Sequence, residues 1–376
     1  MTGLAVLVFA VSALGLVHVF VGYPLWMLAL ARWRPRPVQR RVWTPHVTVV
    51  LAVHDGAAHV QAKLANLLAL DYPPALLDIV VACDGCRDDS AARCRQPGDA
   101  HVRVLEFAER RGKAACLNDA VAQARGEVLL MTDVRQRLEP DALRRLVADL
   151  GDPGVGAAGG QLRLFDAQTG FAHGIDAYWR YETLVRTSES RSGSAVGVSG
   201  ALYAMRRELF RPLPPGTVLD DVLVPMQVAA AGWRVVYEPM AVAWDGTSQQ
   251  PREEQRRKIR TLAGNYQLVQ LAPWLLLPWR NPLWFRFVSH KLLRLLAPWL
   301  LLALALSTAL LAAHHVLFAM TALALAAALA AVVAGRLLPA LGGRLPIRLL
   351  TAFCYLNLFA AQALLAFARN RRLHLW

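Results

Sequence analysis

Acidic residues are in short supply. The chain has 27 Asp and Glu against 41 Lys and Arg in 376 residues, a formal net charge of +14. Charge of either sign is missing altogether from three long runs, Leu4–Ala31, Leu295–Gly335 and Leu349–Ala368. An ordinary soluble protein is excluded, because all three uncharged runs would need hiding inside it. A bilayer core takes roughly 20 apolar helical residues, so the runs read as one, two and one membrane spans, with His314-His315 in the turn of the middle pair. The first run is too long for the apolar core of a cleaved leader and ends without small-residue cleavage chemistry. Cysteine is scarce too. Four of the five (Cys83, Cys86, Cys94, Cys116) lie between the runs and Cys354 lies within one, a distribution against disulfides. Cys83-Asp84-Gly85-Cys86 has the spacing of half a zinc site, but no second such pair exists, so a zinc module is not expected. Zinc-finger, helix-turn-helix and RNA-binding signatures are absent as well. No nucleic-acid partner is expected, and arginine at membrane borders accounts for much of the positive charge.

Orientation follows from arginine placement. Arg32, Arg34, Arg36, Arg40 and Arg41 follow the first run directly, which puts residues 32–294 in the cytoplasm. Arg336, Arg344 and Arg348 put the loop before the last run on the same side. Four spans then leave the tail Arg369-Asn370-Arg371-Arg372 outside, against the positive-inside trend. The expected organisation is a membrane helix at 1–31, a cytosolic domain at 32–265, an interfacial juxtamembrane segment at 266–294 and a region of about three membrane helices at 295–376. The interfacial reading rests on Trp274, Trp279 and Trp284 among Pro273, Pro278 and Pro282, since tryptophan favours the headgroup level. Membrane lipids are therefore expected partners, and the Ala- and Arg-rich composition suggests a bacterial inner membrane.

Between the runs, Val47–Val53 is a continuous apolar, β-branched stretch that fits a strand buried on both faces of a parallel sheet. A helix near 57–70, a second strand at 78–82, a third at 101–106, a helix at 112–124 and a fourth strand at 127–132 follow. Strands alternating with helices predict right-handed βαβ units and a doubly wound, Rossmann-like α/β sheet. Ligands of such sheets sit beyond the carboxyl ends of the strands, where Asp55, Asp84 and Asp133 all fall.

These residues carry a resemblance. With Gly112-Lys113-Ala114, Thr132-Asp133-Val134-Arg135, Leu219-Asp220-Asp221 and the basic segment 255–264 in order, the chain resembles the family 2 glycosyltransferases across nearly all of 45–265. That broad group includes bacterial cellulose, hyaluronan and poly-N-acetylglucosamine synthases, and the resemblance implies the GT-A nucleotide-sugar fold. It implies that Asp84 accepts a hydrogen bond from a uracil imide, with Asp55 in the same nucleotide site. Lys113 at a helix start would favour a diphosphate, unless it is a solvated surface lysine. Asp133 stands first in the family's Asp-x-Asp, whose paired acids hold Mg²⁺ or Mn²⁺. Arg135 replaces the second acid, so either Asp133 and substrate oxygens hold the metal or Arg135 supplies positive charge itself.

Asp221 matches the family's catalytic base, with Asp220 assisting; the alternative for both is capping of the helix that follows. Gly200 and Ala201, in Ser199-Gly200-Ala201-Leu202, match the acceptor side. Processive synthases carry Gln-x-x-Arg-Trp near Gly264. Here Arg257, Arg260 and Thr261 take the places of its Gln, Arg and Trp, so Arg257 and Arg260 are diphosphate candidates and the stacking tryptophan is missing. The alternative for this cluster is contact with anionic headgroups.

The expectation is a membrane-bound inverting glycosyltransferase. It would move sugar from a nucleotide-sugar, UDP-linked by resemblance, to a lipid-linked saccharide or glycan. Two alternatives stay open: a processive polysaccharide synthase, and a non-catalytic membrane scaffold that keeps the fold.

Overall fold

Strand β1 (Val47–Val53) is buried along its whole length, as its unbroken apolar character requires when both faces of a sheet are covered. It pairs in parallel with β2 (Leu77–Asp84) on one side and β4 (Val128–Asp133) on the other, and β3 (Val102–Phe107) lies outside β2. In the computed structural model this half continues through β5 (Arg137–Leu138), β6 (Val155–Phe165), β7 (Leu202–Arg206) and β8 (Arg234–Gly246) into one eight-stranded sheet, ordered β3-β2-β1-β4-β7-β6-β8-β5. The residues described are 2–96, 98, 100–165, 170–246, 251–369 and 373–375, without the side chains of 170–179, Pro251, Glu253 and Pro339. The tail charges at 370–372 lie outside them.

The first four strands form the parallel, βαβ part expected of a doubly wound sheet, and the second half makes the whole sheet mixed. Strand β7 runs antiparallel to both β4 and β6, and β5 runs antiparallel to β8. The reason is local. Thr132 pairs with Leu202, so Gly200-Ala201 enters β7 at the same end where β4 delivers Asp133. A strand that starts at that end has to run the other way.

Helices cover both faces. Helices α2 (Ala57–Leu68) and α5 (Ala142–Leu150) bury Val60, Leu64, Leu67, Leu143 and Leu146 on one side. On the other, α4 (Lys113–Ala122) and α7 (Asp220–Ala230) bury Leu117, Leu223 and Met226; α3 (Ser90–Arg95) lies beyond β2. Each fully buried Leu or Val contributes about 1.5–3 kcal/mol relative to exposure, so these two layers outweigh any single polar contact at the site.

Among the described residues, four helices are long and apolar enough to cross a membrane: α1 (Thr2–Trp33), α9 (Trp284–Leu311), α10 (Val316–Leu337) and α11 (Leu345–Arg369). The first two are antiparallel neighbours, with His18 Nε2 3.0 Å from Ser289 Oγ and a Cβ built at Gly15 3.0 Å from Leu300, while the Phe9 ring is edge-on to Phe318 of α10. His314 and His315 lie in the turn between α9 and α10, where the His315 ring accepts the Leu317 amide. Helix α9 begins at Trp284 and runs on through a π-helical turn at Val288–Leu292, so the boundary expected at 294 falls inside a continuous helix. Asn281 makes an Asx turn just ahead of it, its Oδ1 accepting the Leu283 amide at 2.9 Å, a turn that the surrounding Pro and Trp obscure in the sequence. The irregular stretch is shorter than expected, from Ala272 to Leu283.

Between α1, α9 and helix α6 (Gly170–Arg191) lies a buried seam of charge. His290 Nδ1 is 2.8 Å from Glu189 Oε1, and its Nε2 is 3.1 Å from Glu182 Oε1. The Tyr23 hydroxyl donates to Glu189, and Arg294 pairs with Glu182 at 2.8 Å. Burial alone would push the Glu182 carboxyl up, but His290, Arg294 and Arg186 together hold it well below the usual carboxylate range.

Candidate active site

Four side chains converge where the chain ends β4 and starts α4 and α7. Asp133 is the last residue of β4, Lys113 the first of α4, and Asp220 and Asp221 the first two of α7. Lys113 Nζ lies 3.0 Å from Asp133 Oδ1 and 3.2 Å from Asp220 Oδ2. Gly200 forms the floor: a Cβ built there would stand 3.5 Å from Lys113 Nζ and 3.6 Å from Asp221 Oδ2. Lys113 is thus no solvated surface lysine. Neither aspartate caps its helix with a side-chain hydrogen bond, since Leu219 holds the cap position, so both carboxylates stay free for other work.

Burial raises Asp220 to about 6, against the pull of Lys113 and with the like charges of Asp221 and Asp133 adding to the rise. Burial also disfavours the Lys113 charge, yet Asp133 and Asp220 outweigh it and hold the ammonium above its ordinary value.

Asp84 has a different environment from the one expected. It is fully buried, and its two carboxylate oxygens accept the amides of Arg111 at 2.7 Å and Gly112 at 2.8 Å. Gly112 needs that support: it has φ +90°, open to glycine and rarely to other residues. Asp84 therefore fixes the turn that presents Lys113, and the geometry supports a positioning role over direct contact with a base. Asp55 is half-exposed and left-handed at φ +46°, with Oδ1 accepting the Arg87 amide at 2.8 Å. The neighbouring C-x-x-C is no paired ligand set, for Cys83 is buried with its sulfur 4.0 Å from Cys94 while the Cys86 thiol donates to the Val53 carbonyl.

The arginines divide. Arg135 turns to Asp245 on β8 at 3.5 Å, as does Arg257 of helix α8 (Pro251–Leu271) at 3.6 Å. Arg260, one turn further along α8, has no ion pair or hydrogen bond among the described residues. Burial disfavours its charge, and Asp133, Asp220 and Asp221 offset part of that. Ala201 contributes its carbonyl, which accepts the Thr132 hydroxyl at 2.8 Å.

Two residues of this site were not anticipated. Lys63 is buried under β4, its ammonium donating to Thr132 Oγ1 at 2.8 Å and the Gln136 carbonyl at 2.7 Å; burial lowers it to about 7, with Asp133 opposing. The available signal was a lysine in the apolar phase Val60, Leu64, Leu67. Asp245 gathers Arg135, Gln136 and Arg257, and only its position after an apolar strand marked it.

Residues 45–264 match the family described as Glycosyltransferase like family 2. The chain belongs to it. This family 2 glycosyltransferase is 22% identical over 232 residues to a poly-beta-1,6-N-acetyl-D-glucosamine synthase of Staphylococcus aureus (strain COL), covering 59% of this chain and 55% of that protein. A Staphylococcus epidermidis synthase of the same name is 22% identical over 235 residues, 61% of this chain and 56% of its own. The chain spans about half the length of these curated relatives. Among solved structures, it is similar to the mannosyltransferase PcManGT from Pyrobaculum calidifontis in complex with GDP-Man and Mn²⁺, with TM-score 0.72 and 24% identity. That likeness covers 96% of this chain and 99% of the other, so it takes in the long apolar helices as well as the GT-A domain.

Proposed function

We propose that this glycosyltransferase transfers a sugar, with inversion, from a nucleoside-diphosphate sugar to a hydroxyl of a lipid-linked saccharide or glycan at the membrane surface. The observation that carries it is Lys113 Nζ between Asp133 and Asp220, with the Asp221 carboxylate beside it over Gly200. Lys113 and Arg260 supply fixed positive charge for the leaving diphosphate, an attraction that strengthens as negative charge develops on it. Asp221 takes the acceptor proton, and Asp220 beside it assists in orienting the entering hydroxyl. The flat Gly200 leaves room for a sugar ring. A non-catalytic scaffold would have no use for two uncapped, converging aspartates.

A divalent cation fits Asp133. Lys113 approaches its Oδ1 at 3.0 Å, and Arg135 is directed to Asp245 instead of competing for the carboxylate. Asp133 with diphosphate oxygens offers the hard oxygen donors that Mg²⁺ or Mn²⁺ prefers. Such an ion would supply further stabilisation of the leaving group. Nucleotide-sugar with Mn²⁺ is what the mannosyltransferase structure contains.

The poly-N-acetylglucosamine synthases among the relatives raise polymerisation as a second reading. Thr261, where a stacking tryptophan would stand, spends its hydroxyl on the Arg257 carbonyl at 3.0 Å and offers no sugar platform, which favours single or limited transfer. The UDP choice rests on resemblance, so the assay is nucleotide release by purified protein from a panel of UDP- and GDP-sugars, with product length read on a gel. Asp221→Asn should abolish transfer and keep nucleotide binding; unchanged turnover would refute the assignment. A residue-independent loss of both would mean misfolding, which a melting curve detects.

A further inference from the structure

By length and composition α11 passes for a fourth membrane crossing, but its neighbours argue otherwise. Helix α1 descends from Tyr23 beside His290 to Phe9 beside Phe318, so the turn between α9 and α10 lies far from the catalytic domain. Helix α10 returns from there, and its Gly335 meets Ile347, near the start of α11. Only eight residues into α11, the Phe353 ring is edge-on to Phe20, at the domain end of α1. From there α11 follows the catalytic domain. Gln362 accepts a hydrogen bond from Gln255 at 3.2 Å, Phe367 stacks on Tyr266, and Ala363 and Leu373 are buried against Ala263, all on α8. Phe20 accepts the hydroxyl of Tyr181 on α6 at 3.3 Å, so Phe353 already stands level with the domain, and the stretch before it, 345–352, covers about 12 Å at 1.5 Å per residue, well short of a hydrocarbon core of roughly 30 Å.

Beyond α11, His374 reaches the site itself. A Cβ built at Gly112 would stand 3.0 Å from His374 Cδ2, and one at Gly216, in the loop before Asp220, 3.3 Å from His374 Nδ1. Both glycines have positive φ, +90° and +78°, and lack the side chain that would displace the ring. The imidazole therefore stands beside the first turn of α4, whose free amides and Lys113 form the anion-favouring end of the donor site.

We propose that α11 is a strap on the membrane face of the catalytic domain, not a crossing, and that it delivers His374 as a donor-site residue contacting the diphosphate. The chain then crosses the bilayer three times, and Arg336, Arg344, Arg348 and Arg369 all lie on the catalytic side, as the positive-inside trend requires. The proposal rests on the donor-site reading of Lys113, and the test separates the two. In full-length protein with Cys86 and Cys354 replaced by Ser, Leu375→Cys is probed with a membrane-impermeant maleimide in vesicles of both orientations. Labelling from the catalytic face, slowed by nucleoside diphosphate, is expected; labelling from the opposite face overturns the strap. His374→Ala should lower kcat/KM for the donor about ten-fold, the worth of one charge-assisted hydrogen bond, with melting temperature nearly unchanged. If Lys113→Ala weakens donor binding and His374→Ala does not, the role of His374 is overturned while the donor site stands. If neither does, the donor-site reading itself fails.

Discussion

Replacing Asp84 separates two jobs that one carboxylate could do. In the structure it is fully buried and both oxygens are occupied, by the Arg111 and Gly112 amides. Truncation to Ala leaves the buried Gly112 amide and the part-buried Arg111 amide unpaired; a stranded buried donor costs about 1–3 kcal/mol, and the Arg111 amide, within reach of water, about 1 kcal/mol at most. The expected loss is therefore roughly 1–4 kcal/mol, less whatever a water entering the vacated space recovers. At about 2–4 °C per kcal/mol for a domain of this size, melting should fall by roughly 3–15 °C. The assay is a thermal scan of purified protein in detergent, alongside titration with UDP and GDP. Asp84→Asn is the sharper variant: its amide keeps one acceptor and points a donor at the other N–H, so an intermediate loss is expected. Because the turn also presents Lys113, affinity for the nucleoside diphosphate should fall in both variants, and affinity for the free nucleoside much less. The reasoning is refuted if Asp84→Asn melts like the wild type while losing uridine recognition, for then Asp84 reads the base and the turn holds without it.

Three further outcomes follow from the same geometry. Asp220 binds its proton more tightly folded than unfolded, so it costs stability above about 6, and that cost fades as pH falls from there toward 3.8; melting temperature followed from pH 7 to pH 4 should show a stabilising component that Asp220→Asn removes. Transfer should fall in excess chelator and recover with Mg²⁺ or Mn²⁺, whereas undiminished turnover would leave the charge to Lys113 and Arg260 alone. Asp245→Asn frees Arg135 and Arg257, which are both partly exposed, so destabilisation should stay near 1–2 kcal/mol; the larger effect should be on donor KM, measured against kcat.

Much of the parallel half of the sheet was legible. Strands buried on both faces need unbroken apolar runs, and β1, β2 and β4 have them, each ended by the acid or the turn that the site uses. The second half was not, because antiparallel β7 is dictated by where Gly200-Ala201 must enter, a tertiary requirement with no period of its own. The acids and Lys113 announced themselves as motifs, but their division of labour did not. Only burial reveals that Asp84 serves the backbone, and only three-dimensional pairing reveals that Arg135 and Arg257 answer to Asp245. Lys63 could have been suspected as a charge in an apolar phase. His290, far along the chain from Glu182 and Glu189, could not.

That seam has a consequence for how the enzyme lives in the cell. Glu182 and Glu189 belong to the catalytic domain, while Tyr23, His290 and Arg294 belong to the helices on either side of it. Stripping one partner from a buried ion pair costs about 3–5 kcal/mol, and clipping the chain at its two membrane borders would strip several at once. Proteolysis should then destroy the enzyme and not release a soluble, working transferase. Turnover of this protein and loss of its activity then become the same event, and its activity stays tied to the long apolar helices for as long as it exists.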